Sequence, residues 1–211
     1  EVSMLSGRVS TGIVGLDKMT EGGFPQGSII LLAGSPGAGK TIASAHFLYH
    51  GVKNLDENGV YVSFAERREF FLDNMKRFGL DFEMFESKGK FKFLDLMTTR
   101  EEAMSTTLDL VVREVLAIDA KRLVIDSFSA MAQAFERRID ARIILHLLDK
   151  LMRQTSCTTL LLVELPIGSQ TIGLGFEEFV ADGIILFETI NEKEGIRKRA
   201  VAPQRGRPHG I

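Results

Sequence analysis

No apolar run in this sequence approaches the roughly 18 residues of a membrane-spanning helix, so no membrane partner is expected. Cysteine is almost missing. Cys157 is the only one and opens an apolar strand candidate, which excludes an internal disulfide and a cysteine-based zinc cluster and fits a reducing compartment, by default the cytoplasm. Neither sign of charge dominates. Lys plus Arg number 26 against 28 Asp plus Glu, a formal net charge of -2, so there is no bulk drive toward nucleic acid or an anionic membrane, and any polyanion site must be local. Internal repeats, low-complexity tracts and a composition break are also lacking. With 211 residues, 45% of them hydrophobic, the expectation is a single domain over 1–211 with one substantial core, an N-terminal extension over about 1–10 and a basic C-terminal segment over about 196–211. Glu1-Val2-Ser3 does not read as the opening of a secretory leader. Because position 1 is not Met, the sequence is open to being a piece of a longer protein.

What is present is concentrated in one stretch. Gly34-Ser35-Pro36-Gly37-Ala38-Gly39-Lys40-Thr41 follows the apolar run Ser28-Ile29-Ile30-Leu31-Leu32-Ala33 and satisfies G-x-x-x-x-G-K-T in a strand-then-helix setting. Glycines let successive backbone N–H groups turn inward onto phosphate oxygens, and the helix that follows adds its positive N-terminal end. These eight residues, with Ile42 next, form the expected ATP site. Lys40 would reach the β- and γ-phosphates, and Thr41 would ligate Mg²⁺.

Short apolar, β-branched-rich runs recur at Ile29–Ala33, Val60–Phe64, Phe91–Leu96, Leu123–Ile125, Thr158–Leu165 and Gly183–Phe187. Their nearly continuous apolar character predicts strands covered on both faces, as in a parallel sheet, since one-sided sheets alternate instead. Helical patterns fall between them at Thr41–His50, Glu69–Phe78, Ser105–Ile118 and Ala141–Arg153, the last with an apolar stripe of Ile143, Ile144, Leu147, Leu148, Leu151 and Met152. Alternating β and α predicts an α/β doubly wound domain with a largely parallel central sheet and helices on both faces, with ligand at the carboxyl ends of the strands.

Three carboxylates qualify for the chemistry. Asp126 ends the run Arg122-Leu123-Val124-Ile125 and reads as the Walker B partner for Mg²⁺, although a strand-ending Asp also suits a turn or helix cap. Glu66, just past the second strand, is the candidate to orient or deprotonate the attacking water; its alternative is a surface residue opening the next helix beside Arg67 and Arg68. Glu164, in a strongly apolar run, would cost desolvation unless partnered, and is a candidate sensor of the γ-phosphate or the water. The Gly/Ser-rich segment 166–175 is the expected mobile loop, and it carries no Lys or Arg. Arg197, Lys198, Arg199, Arg205 and Arg207 crowd the final fifteen residues, as a solvated tail or a functional one.

Taken together these stretches resemble a family. Thr11-Gly12-Ile13-Val14-Gly15-Leu16-Asp17, Gly22-Gly23-Phe24-Pro25-Gln26-Gly27-Ser28 and the phosphate loop resemble the start of RecA-fold ATPases of the KaiC and RadA type. Asp126-Ser127 is similar to their Walker B pair, Glu177-Glu178-Phe179-Val180-Ala181-Asp182-Gly183 to a KaiC-group motif, and Arg205-Gly206-Arg207-Pro208-His209 to an Arg-Gly-x-x-His ending. The resemblance runs from Val9 to His209 and points to the single-domain, archaeal sort of KaiC-like ATPase. It implies a RecA-like P-loop fold, self-assembly into a hexameric ring or filament with nucleotide at subunit interfaces, and Arg205, with His209, reaching a neighbour's γ-phosphate. Two departures stand out: Ala65-Glu66 where the family usually has a Glu-Glu pair, and Pro203 where it has Lys. The first could leave ATP bound but slowly hydrolysed, which makes a nucleotide-controlled scaffold the alternative to an ATPase. A recombination accessory role on single-stranded DNA is the third reading. It draws on Arg137 and Arg138 after Asp126 and on stacking by Phe128 or Phe135, each of which more simply belongs to the core. An unrelated P-loop kinase is the disfavoured reading.

Overall fold

A computed structural model describes residues 7–96, 104–133, 146, 148–150, 152–165, 181–192 and 195–201. In chain order the elements are β1 Arg8–Val9, α1 Val14–Met19, β2 Phe24–Pro25, β3 Ile29–Gly34, α2 Lys40–His50 running on into a π-type turn Gly51–Leu55, β4 Gly59–Ser63, α3 Arg68–Arg77, α4 Glu83–Ser87, β5 Phe91–Asp95, α5 Met104–Ala117, β6 Arg122–Asp126, α6 Phe128–Gln133, β7 Thr158–Glu164, β8 Gly183–Glu192 and β9 Gly195–Val201. Residues 148–150 and 152–155 are also helical; much of the expected helix over Ala141–Arg153 lies outside the described residues. None of the described helices is long and apolar enough to cross a membrane.

The main sheet has the order β5-β4-β6-β7-β3-β8-β9. Every neighbouring pair is parallel except β8 with β9. Because side chains alternate across a strand, the apolar runs split between two layers. Ile29, Leu31, Val60, Val62, Leu123, Ile125, Leu161 and Val163 pack against α5, through Val111 and Val115, and against Leu148 and Met152. Ile30, Leu32, Tyr61, Val124, Leu160 and Leu162 face the other way, onto Ala45, Phe47 and Leu48 of α2 and Phe71, Leu72 and Met75 of α3. Each fully buried aliphatic side chain contributes roughly 1.5–3 kcal/mol, so both faces of these strands must be covered, as their composition predicts.

The six expected strands all form with ends close to those expected, except that β8 runs on to Glu192. Two expectations change. Arg8 and Val9, placed in an N-terminal extension, pair antiparallel with Pro25 and Phe24. The start of the basic C-terminal segment is not a tail: Gly195–Val201 forms β9, in register with β8 from Glu192↔Gly195 to Leu186↔Val201. Its charged residues break the apolar pattern by which a buried strand is recognised, and an edge strand needs only one neighbour.

Candidate nucleotide site

β3 is the fifth strand across the sheet, and its last residue, Gly34, opens the phosphate loop that ends where α2 begins at Lys40. Two kinds of glycine constraint operate there. Gly37 and Gly39 have φ of 75° and 101°, a left-handed backbone that other residues adopt only with strain. At Gly34 the constraint is space, since a Cβ would lie 2.6 Å from the carbonyl oxygen of Phe187 on β8. Ala38 is buried, whereas Pro36 and Gly37 are exposed and Ser35 and Gly39 are intermediate. Ile42 packs against the core formed with α2 and α3, so its contribution to a ligand would be its backbone in the helix's first turn.

Lys40 is only 8% exposed. Its Nζ donates to the carbonyl oxygens of Gly34 at 2.8 Å and Ser35 at 3.0 Å. Burial pushes its pKa down, opposed by the charges of Glu164 and Asp126. The Thr41 hydroxyl donates to Oδ2 of Asp126 at 2.9 Å. These two residues are far apart in sequence and meet because β6, two strands from β3, ends level with the loop. The pair offers a hydroxyl and a carboxylate to a divalent cation. Mg²⁺ takes few protein ligands and completes its shell with water and phosphate oxygens, so this pair fits it. No cluster of three or more His, Cys, Asp or Glu suited to a metal occurs among the described residues.

Glu66 is half-buried where β4 gives way to α3. Its N–H donates to the Ser63 hydroxyl at 2.9 Å, and Oε1 accepts from Nδ2 of Asn74 at 3.0 Å. Burial raises its pKa, Asn74 opposes this, and the charge of Asp126 adds to the rise. The structure therefore brings Glu66 within the electrostatic reach of Asp126, while Ala65 beside it is exposed. The expected desolvation of Glu164 does not occur. It is the last residue of β7, opposite Gly34 in the ladder, and its side chain is exposed; its N–H donates to the Ser129 hydroxyl at 3.1 Å. A strand's final residue emerges from the sheet, so an apolar run does not imply that its end is buried.

Arg205, His209 and Pro203 lie outside the described residues, as do Arg137, Arg138, Phe135, the 166–175 loop and 177–180. Phe128 is fully buried in the core, so its proposed base-stacking role is replaced by packing. Two of the motif aspartates have plain structural work. Asp17 accepts from Thr11 N–H and Oγ1, both at 2.7 Å, and from Ser10 Oγ at 2.7 Å; burial pushes its pKa up, but these bonds outweigh it and hold the carboxyl below its ordinary value. Asp182 accepts from the Ile29 N–H at 2.9 Å and from Nη2 of Arg153 at 2.8 Å, tying the start of β3 to the start of β8.

One site residue had no signal in the sequence. The hydroxyl of Tyr61, 1% exposed on β4, donates to Oδ2 of Asp126 at 2.6 Å. Burial, reinforced by the neighbouring Asp126 carboxylate, holds this phenol well above its ordinary pKa, so it acts as a neutral donor. In sequence, Tyr61 is indistinguishable from any aromatic in an apolar strand.

A phosphate loop leaving the middle of a parallel sheet, its threonine bonded to the aspartate that ends a nearby strand, defines a P-loop nucleotide-binding protein of RecA type. A family model described as the KaiC ATPase matches residues 9–211. The chain belongs to the KaiC ATPase family. It is similar to a UPF0273 protein of Pyrococcus horikoshii, 34% identical with 97% of this chain and 87% of that one covered, and to the circadian clock oscillator protein KaiC of Picosynechococcus, 28% identical over 90% of this chain and 39% of that one. The crystal structure of a KaiC-like protein from Pyrococcus horikoshii matches with a TM-score of 0.83 at 35% identity, covering 95% of this chain and 89% of that one.

Proposed function

We propose that this chain is a Mg²⁺-dependent ATPase that binds ATP between copies of itself, in the cytoplasm. The observation that carries the reading is the meeting of Thr41 and Asp126 at 2.9 Å beside the buried Lys40, the arrangement needed to hold a metal-bound triphosphate. In this reading backbone N–H groups of the loop from Gly34 to Thr41 cradle the phosphates, Lys40 leaves the Gly34 and Ser35 carbonyls for the β- and γ-phosphate oxygens, and Thr41 and Asp126 hold Mg²⁺. The cation, when bound, supplies charge neutralisation on the phosphates. Glu66 takes a proton from, or orients, the attacking water, and Glu164, beside Gly34 at the end of the neighbouring strand β7, senses the γ-phosphate. Arg205, with His209, is assigned by family pattern to a neighbour's site.

The test is ATP turnover measured together with mass in solution, with and without Mg-ATP and single-stranded DNA. Turnover is expected to require assembly and to fall about 100-fold in Glu66→Gln. A general base works only when ionised, so wild-type turnover should also fall as pH drops through the Glu66 pKa, which lies above its ordinary 4.5; in Glu66→Gln that acidic limb should vanish. Assembly-independent turnover, or a Glu66→Gln variant as fast as wild type, would overturn the assignment. Stimulation by DNA would move the reading toward recombination.

The exposed Ala65 favours a second reading, a nucleotide-controlled scaffold with little turnover. Tight ATP binding and assembly without hydrolysis would support it, and Ala65→Glu would then be expected to raise the rate by at least 10-fold.

A further inference from the structure

Asp126 does not stand alone at the end of β6. Oδ2 receives two donors, the Thr41 hydroxyl at 2.9 Å and the Tyr61 hydroxyl at 2.6 Å. Ser63 of β4 is opposite Asp126 in the parallel ladder, so Tyr61, two residues earlier, projects to the same face of the sheet and reaches the carboxylate diagonally. Its ring cannot swing away. It stacks on Phe93 with centroids 5.4 Å apart and planes at 7°, and it meets Phe71 at 4.3 Å. Ser44 of α2 touches the same hydroxyl and donates its own proton to the Thr41 carbonyl at 2.9 Å. The loop helix, β4 and β6 are thus joined by one polar thread inside an otherwise apolar layer.

We propose that Tyr61 is a positioning residue for the metal: its hydroxyl fixes the Asp126 carboxylate so that one oxygen is held by Tyr61 and Thr41 and the other is presented to the cation's shell. This rests on the nucleotide reading above. Thr41 can keep donating its proton to Oδ2 while an oxygen lone pair faces the metal, so the hydrogen bond seen here is compatible with ligation. Without the phenol, Asp126 would lose the donor that sets its rotation. An aromatic chosen for packing alone would serve equally well as Phe, and the hydroxyl would have no reason to sit against a carboxylate at 2.6 Å.

Partners of metal-holding groups typically alter metal affinity 10–100-fold when removed. In Tyr61→Phe, Mn²⁺ affinity of the protein–ADP complex, read by electron paramagnetic resonance, is expected to weaken about 10-fold, with ADP affinity in EDTA changed less than twofold. The chain has two tyrosines and no tryptophan, which provides a second readout should Tyr61→Phe not fold. In Tyr49→Phe, Tyr61 is the sole tyrosine, and its near-ultraviolet absorption should shift when Mn²⁺ joins the ADP complex. Mn²⁺ affinity within twofold of wild type in a folded Tyr61→Phe, or, if that variant does not fold, an unmoved tyrosine spectrum in Tyr49→Phe, would overturn the inference and leave the site reading standing. Failure of the wild-type protein to bind ADP or ATP at all would overturn both.

Discussion

Replacing Lys40 with Ala is expected to weaken Mg-ATP binding about 100-fold, equivalent to about 2.7 kcal/mol. The ammonium is the one cation already inside the loop, 8% exposed and donating to two loop carbonyls. Its pKa is pushed down by burial, yet Glu164 and Asp126 favour the charged form, so it is retained as a charge without bulk solvent around it. A triphosphate would exchange two neutral carbonyl acceptors for anionic oxygens, adding charge–charge attraction to bonds that the ammonium already makes charge-assisted. Calorimetric titration measures the loss directly. Thermal unfolding gives an independent reading, because ligand at 100 times Kd stabilises the native state by about 2.7 kcal/mol; at the same ligand concentration that increment should shrink to about 0.4 kcal/mol in Lys40→Ala, while the ligand-free protein still unfolds cooperatively. Unchanged affinity would remove the loop from the site.

Arg122→Ala is expected to destabilise the fold by about 4 kcal/mol, with little effect on nucleotide affinity in whatever fraction stays folded. Arg122 opens β6 and is completely buried. Its Nε donates to Oε2 of Glu57 at 2.6 Å, Nη1 donates to the carbonyl oxygens of Ser10 at 2.9 Å and Phe47 at 2.6 Å, and the guanidinium lies 4.5 Å from the centre of the Phe47 ring. One side chain therefore joins the N-terminal segment, the last turn of α2 and the approach to β4. Gly51 leaves it room, since a Cβ there would collide with the guanidinium. Truncation would leave two carbonyls without their donor, Glu57 without its cation and a cavity beside Phe47. Nη2 has no hydrogen-bond partner among the described residues, which makes the bonds through Nε and Nη1 the ones that offset burial. Arg122→Lys should recover only part of the loss, because a compact ammonium cannot reproduce the planar fork. Denaturant unfolding of the variants, compared with nucleotide affinity, separates the two effects. A loss below about 1 kcal/mol in Arg122→Ala would mean that the segments it joins are held by other contacts.

The two substitutions mark opposite ends of the parallel strands. Arg122 is at the amino end of β6 and Asp126 at its carboxyl end. A packed amino end and a carboxyl end open to ligand follow from the α/β architecture, in which the loops at the carboxyl ends are released from the core. Glu66, Asp126 and Glu164 all occupy that edge, each just past or at the end of a strand.

Much of this was legible in the linear sequence because it depends on neighbours along the chain. Backbone hydrogen-bonding groups in an apolar run must pair with other strands, so composition and period placed β3 to β8 to within a residue or two at most ends. The phosphate loop was legible for the same reason: its glycines answer a local backbone demand, visible here as φ of 75° and 101° at Gly37 and Gly39. Asp126 was legible as the end of a strand. Its partners were not, because they depend on which strands lie side by side. That order, β4 beside β6 and β6 two places from β3, is set by the packing of whole layers. Only it brings Tyr61 and Thr41 to one carboxylate oxygen. The same holds for Arg122, whose charge reads as a surface residue until α2, Ser10 and Glu57 close around it, and for Glu164, whose apolar neighbours suggest burial until the strand's end emerges from the sheet. β9 was hidden by its own charge, since an edge strand needs a partner on one side and no apolar pattern. What the sequence by itself determined was the local backbone and the chemistry available; which groups share a site was decided by the tertiary structure, because contacts between distant segments depend on their relative placement in the sheet and the layers covering it.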